Sequence, residues 1–112
     1  MRARLIATTL LAIAYIASPP VFAADAIKVD IKLFQFKPKE LEVKKGTTVT
    51  WTNGDAIDHS VTAGKPGKAA QDFDSGFFTK GGSFSHTFDA AGNFTYFCKR
   101  HPNMQATVKV DE

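Results

Sequence analysis

An all-β fold, a two-sheet antiparallel Greek-key sandwich of seven to eight strands, is predicted by three features of the sequence. Apolar and polar residues alternate with period two in short runs, the runs are separated by Gly, Pro, Asn and Asp, and no segment carries a convincing helical period. Strands of this kind bury one face each and need a second sheet to bury it against.

The chain has 112 residues, enough for one domain with a single core and no disulfide staples. Its first part reads as a leader. Arg2 and Arg4 form a positive start, Leu5 to Ala17 is almost wholly apolar, and Val21-Phe22-Ala23 has the spacing of a signal-peptidase site, so cleavage after Ala23 is expected. The apolar run falls short of the roughly 20 residues that span a bilayer, which argues against an uncleaved anchor. Residues 1–23 are thus expected to be a secretory signal peptide and 24–112 one domain of a periplasmic protein without stable membrane insertion. The formal charge is +3, and Arg2 and Arg4 supply two of those charges. The near-neutral remainder gives no electrostatic case for nucleic acid or a membrane surface.

The strands follow in order. Ile27, Val29, Ile31 and Leu33 share one face, with Lys28, Asp30 and Lys32 opposite. The parity then shifts to Phe34 and Phe36, which predicts a bulge or bend where the strand changes sheets. Leu41 and Val43 follow Pro38, and after Lys45-Gly46 the residues Val49 and Trp51 alternate with Thr48, Thr50 and Thr52. Beyond the turn Asn53-Gly54-Asp55 the inward series restarts at His59, Val61 and Ala63. Residues 65–72 read as a loop. Phe84, His86 and Phe88 mark the next strand, Ala91-Gly92 turns into Phe94, Tyr96 and Cys98, and Met104, Ala106, Val108 and Val110 line the last strand.

This parity sets Cys98 and Met104 on the inward faces of the last two strands, so the loop between them brings His101 to the same end of the sandwich. The run Cys98-Lys99-Arg100-His101-Pro102-Asn103-Met104 holds a thiolate, an imidazole and a thioether in one tight loop. With a second imidazole it matches the trigonal two-His, one-Cys plane and weak axial Met of a blue-copper electron-transfer centre. His59 begins its own inward series and closes such a site from the other side. Export sharpens the case, because an unpaired cysteine in an oxidising compartment must be buried, paired between chains or bound to metal. Singly, Cys98 would be a small buried hydrophobe, His59 a loop or core histidine and Met104 core filler; their spacing makes a ligand set. His86, between Phe84 and Phe88 on another strand, reads as a packed or partly exposed histidine.

The mature chain resembles the cupredoxins of the plastocyanin, pseudoazurin and amicyanin group over essentially all of Val29 to Val110. The resemblance is carried by Pro38-Lys39-Glu40-Leu41-Glu42-Val43, by Gly46-Thr47-Thr48-Val49-Thr50-Trp51-Thr52-Asn53, by His59, by Phe73-Asp74-Ser75-Gly76, and by Tyr96-Phe97-Cys98 through His101-Pro102-Asn103-Met104. The spacing Cys-x2-His-x2-Met is the short ligand loop of amicyanin-like members. The resemblance implies one type 1 copper, cycling between Cu(II) and Cu(I), bound by His59, Cys98 and His101 with Met104 axial. Many members carry Asn directly after the first His and Thr or Ser directly after the Cys, a pair that ties the two ligand loops together; here those positions are Ser60 and Lys99. The backbone N–H of Ser60 is expected still to reach the Cys98 sulfur, but the side-chain bridge is expected to be lost and the site loosened.

The function expected is a periplasmic electron carrier, not an enzyme, that exchanges one electron with transient redox protein partners and works as a monomer. A copper-handling protein is the alternative. Such carriers rely on exchangeable Met- or His-rich ligation, whereas this chain has only Met1 and Met104. A Cys-His hydrolase is disfavoured because Cys98 and His101 share one loop without an orienting third group or a substrate cleft. Zinc is disfavoured because Met is a poor zinc ligand. Lys99 and Arg100 read most simply as a solvated rim, and beside an electron port the same charges select an acidic partner.

Overall fold

The computed structural model describes residues 26–112, so the leader expected over 1–23 and the first two residues of the expected domain lie outside the described residues. Among the described residues the chain forms β1 (Ala26–Lys32), β2 (Gln35–Lys37), β3 (Glu40–Lys44), β4 (Thr47–Asn53), β5 (Thr62–Lys65), β6 (Lys68–Asp74), β7 (Ser83–Phe88), β8 (Gly92–Phe97) and β9 (Gln105–Asp111). They make two sheets, ordered β2-β1-β4-β7 and β3-β9-β8-β5-β6. The sandwich is as expected, with two differences in detail. The sheets are mixed, since β1 pairs parallel with β4 and β3 parallel with β9. Side-chain alternation is the same in either sense of pairing, so periodicity could not reveal this. There are also nine strands, because β2 and β6 add to those with a legible pattern.

The parity shift at Phe34 turns out to be a hairpin and not a bulge between sheets. Lys32 pairs with Gln35, which leaves Leu33 and Phe34 as a two-residue loop with φ of 53° and 57°. Both central residues of a type I′ turn have positive φ, a position usually held by Asn or Gly, so nothing in Leu33-Phe34 announces it. Likewise residues 65–72 are not a loop. Lys65 pairs with Lys68 and Thr62 with Asp74, which makes β6 the outer strand of the second sheet. Only Phe73 of β6 is buried, so the strand stands by backbone pairing and shows no apolar alternation. Gly64 permits this pairing: its φ is +103°, and a Cβ there would lie 2.4 Å from the Ala70 nitrogen.

Val29, Ile31, Val49, Trp51 and Phe88 from one sheet meet Ala63, Phe73, Tyr96, Ala106 and Val108 from the other. Trp51 sits at the middle, with its ring centroid 5.4 Å from Tyr96, 5.8 Å from Phe84 and 6.1 Å from Phe73. Among the described residues, the Trp51 Nε1 and Tyr96 hydroxyl are buried without a hydrogen-bond partner. Burial pushes the Tyr96 hydroxyl up to about 12, opposed by the nearby Trp51 indole N–H, which falls short of hydrogen-bonding geometry with it. Tyr96→Phe therefore removes a buried polar atom without orphaning another. It is expected to leave stability unchanged or raise it by up to about 1 kcal/mol, as read by urea unfolding of the apoprotein; a loss of that size would show that the hydroxyl is satisfied.

Candidate metal centre

The last two strands present the loop 98–104 as a closed turn. The Cys98 N–H donates to the Met104 carbonyl at 3.1 Å and the Met104 N–H to the His101 carbonyl at 2.8 Å. Cys98 and the Met104 side chain are buried, while His101 is half-buried. His59 is fully buried and reaches the same place from a separate loop, bridged to Phe78 by paired backbone hydrogen bonds of 3.3 and 3.0 Å. Asn53 fixes that loop from inside, donating from Nδ2 to the Ile57 and Phe78 carbonyls, both at 2.9 Å.

These constraints bring three of the four expected residues together by their ligand atoms. Cys98 Sγ lies 3.7 Å from His59 Nδ1 and 3.8 Å from His101 Nδ1, and the three atoms all fall within 4.8 Å of one another. Met104 is anchored to the same turn through its backbone. His86 stands elsewhere, between the rings of Phe73 and Phe88 at 4.7 and 4.8 Å, as expected for a packing residue. Burial lowers its basicity, against the pull of Asp72 and Asp89. At His101, burial first, then His59 and Arg100, hold the imidazole below its ordinary value, with Asp55 opposing.

Sequence reasoning passed over Asp55, which it took as turn punctuation. Its Oδ1 accepts the Leu33 N–H at 2.8 Å, and its Oδ2 accepts both the Phe34 N–H and the His59 Nε2–H at 2.9 Å. Because a carboxylate only accepts, His59 carries its proton on Nε2 and turns a bare Nδ1 toward the sulfur. The same carboxylate fastens the left-handed Leu33-Phe34 turn. This sets the Phe34 ring edge-on to both imidazoles, 5.5 Å from His59 and 4.9 Å from His101. Burial pushes the Asp55 carboxyl up, but the Phe34 and Leu33 amides and His59 together outweigh it and hold it below the usual aspartate range. An acidic residue four positions before a candidate ligand His was the available signal.

The Ser60 N–H does reach Cys98 Sγ, at 3.4 Å. The side-chain bridge expected to be lost is present in another form, since Ser60 Oγ accepts the backbone N–H of Lys99 at 2.9 Å. A backbone donor is independent of the side chain at position 99, which is why the missing Thr or Ser did not matter.

The residues 23–111 match the family of copper binding proteins described as plastocyanin/azurin. The chain belongs to that family. The amicyanin of Paracoccus denitrificans is 41% identical to this cupredoxin over 91 residues, covering 80% of this chain and 68% of the relative. The amicyanin of Paracoccus versutus is 38% identical over 89 residues, covering 79% and 67%. Among solved structures, a purple cupredoxin from Nitrosopumilus maritimus superposes with a TM-score of 0.70 at 32% identity, covering 76% of this chain and 99% of that one. A reduced amicyanin variant gives 0.68 at 35% identity, covering 77% and 82%. The protein is thus an amicyanin-like blue copper electron-transfer protein with copper as its cofactor. The donor set fits, since one thiolate and two imidazoles suit copper in both oxidation states.

Proposed function

We propose that this cupredoxin is a periplasmic one-electron shuttle whose copper would be held by His59, Cys98, His101 and Met104. The observation that supports it best is the convergence of His59 Nδ1, Cys98 Sγ and His101 Nδ1, with His59 already in the metal-binding tautomer. Bound copper supplies a one-electron couple between Cu(II) and Cu(I). The protein keeps the donors fixed, so little rearrangement accompanies the electron. Closed ligation of this kind favours retention of copper over delivery.

His101, the most accessible of the donors, serves as the electron port. Around it the loops of this end carry the exposed apolar side chains Leu33, Phe34, Ile57 and Phe77, which are 68%, 45%, 39% and 54% exposed. Leu33 and Phe34 hang from Asp55, Ile57 lies between Asp55 and His59, and Phe77 adjoins the bridged Phe78. Such a patch suits brief docking of redox proteins by a monomer. The leader over 1–23 directs the chain to the periplasm. N-terminal sequencing of protein from the periplasmic fraction should begin at Ala24.

The ligand assignment is tested by the oxidised protein, which should be intensely coloured and give an EPR signal with narrow copper hyperfine splitting. Stoichiometric copper without colour would overturn it. Met104→Leu should raise the reduction potential and Met104→Gln lower it, because a harder axial oxygen favours Cu(II) whereas loss of the thioether favours Cu(I). Equal potentials in both variants and the wild type would make Met104 core filler.

A further inference from the structure

The hydrogen bond from Lys99 to Ser60 is one link of a closed ring. Ser60 Oγ lies 3.0 Å from Thr62 Oγ1, Thr62 Oγ1 donates to Asp74 Oδ1 at 3.2 Å, and Asp74 Oδ2 accepts the ammonium of Lys99. The direction of every proton follows from the chemistry. Asp74 only accepts, so the Thr62 hydroxyl points at it; the Ser60 hydroxyl must then donate to Thr62, and its oxygen receives the Lys99 N–H. All links run toward one carboxylate, and Lys99 enters at both ends, by backbone and by side chain. Thr62 is paired with Asp74 on one side and with Phe97 on the other, so the ring links β5 and β6 to the segment that leaves β8.

We propose that Ser60, Thr62, Asp74 and Lys99 act as one positioning unit that holds the Cys98 sulfur against the loop bearing His59, in place of the direct Asn-to-Thr bridge of many related proteins. This rests on the assignment of Cys98 and His59 as ligands. Lys99 directly follows Cys98, and Ser60 directly follows His59 while donating its own N–H to the sulfur, so fixing Lys99 to Ser60 fixes one ligand relative to the other. Ser60 and Thr62 are fully buried, where water cannot replace a broken link. The Lys99 and Asp74 side chains are 44% and 40% exposed, and an ion pair so open contributes little by its charge. What Asp74 contributes is the acceptor that orients both hydroxyls. The Gly76 N–H, at 3.0 Å from Oδ1, holds that acceptor in place. The ring also gives a role to β6, an edge strand that gives the core only Phe73.

The test uses Thr62→Val and Asp74→Ala, neither of which touches a ligand, with Ser60→Ala and the pair Ser60→Asn/Lys99→Thr. Two quantities are read: amide hydrogen exchange of Lys99 in the apoprotein, and loss of copper from the loaded protein to a chelator. Thr62→Val and Ser60→Ala should each speed both about tenfold, with Asp74→Ala, which removes the acceptor, in the same direction. Combining Ser60→Ala with Thr62→Val should add nothing, because the chain is already cut. The pair Ser60→Asn/Lys99→Thr should return copper loss to within about twofold of wild type. Multiplying effects in the double variant, or unchanged Lys99 exchange in Thr62→Val and Asp74→Ala, would overturn the proposal. If Thr62→Val fails to fold, Asp74→Ala at the surface still decides. Failure of the ligand assignment would show separately, as a colourless loaded wild type with the Lys99 exchange pattern intact.

Discussion

Cys98→Ser is expected to abolish the intense visible colour while leaving the fold in place. The colour comes from thiolate-to-copper charge transfer, and a hydroxyl offers no comparable donor. The fold should survive because Cys98 is one small member of a core that both sheets assemble around Trp51 and Tyr96, and serine nearly fills its place. The new oxygen also replaces the sulfur as acceptor for the Ser60 N–H, which lies 3.4 Å from Sγ, so no buried donor is orphaned. The measurement is absorbance of the oxidised variant at known copper content, with far-UV circular dichroism of the apoprotein beside it. A variant that keeps the colour would remove Cys98 from the site. An unfolded variant would show that the fold depends on Cys98 as well.

How far the sequence could be read depended on whether a residue announces itself by alternation. Trp51, Tyr96, Val108 and Met104 lie on period-two faces between sheets, and all are buried as that pattern requires. The candidate ligand loop was legible for a different reason: Cys98, His101 and Met104 are rare residue types at a spacing that suits one geometry. What escaped was set by partners far along the chain. β6 has no buried face to alternate, and its pairing with β5 depends on the close approach at Gly64. The Leu33-Phe34 turn contains no turn former because its left-handed backbone is held from outside by Asp55, 22 residues away from Leu33. The Ser60 bridge went unseen because its donor is a backbone N–H, which every residue but proline possesses.

Asp55→Ala should have the largest effect of any change that replaces neither a core residue nor a proposed ligand. It removes at once the acceptor of the Leu33 N–H, the Phe34 N–H and the His59 Nε2–H. The buried His59 donor left unsatisfied costs about 1–3 kcal/mol, the part-buried Leu33 and Phe34 donors add less because water reaches them, and the two turn residues keep their positive φ with nothing to hold it. The apoprotein is therefore expected to lose about 2–3 kcal/mol, and copper should leave the loaded protein about 10- to 100-fold faster as His59 loses its orientation. Asp55→Asn should fall between, since one amide oxygen cannot serve three donors on two sides. The pH dependence has a definite sign. The Asp55 carboxyl is depressed in the folded state, so its contribution is complete above the ordinary aspartate value of about 3.9 and is lost as pH falls through the lower folded value. The gap in stability between wild type and Asp55→Asn should shrink as pH falls below about 4. Leu33→Gly in the Asp55→Ala background should recover about 1 kcal/mol, because glycine takes the left-handed backbone without the Cβ clash. Urea unfolding of the apoproteins across this pH range decides the matter. If Asp55→Ala unfolds and releases copper like the wild type, Asp55 is a surface turn residue and the orientation of His59 has another source.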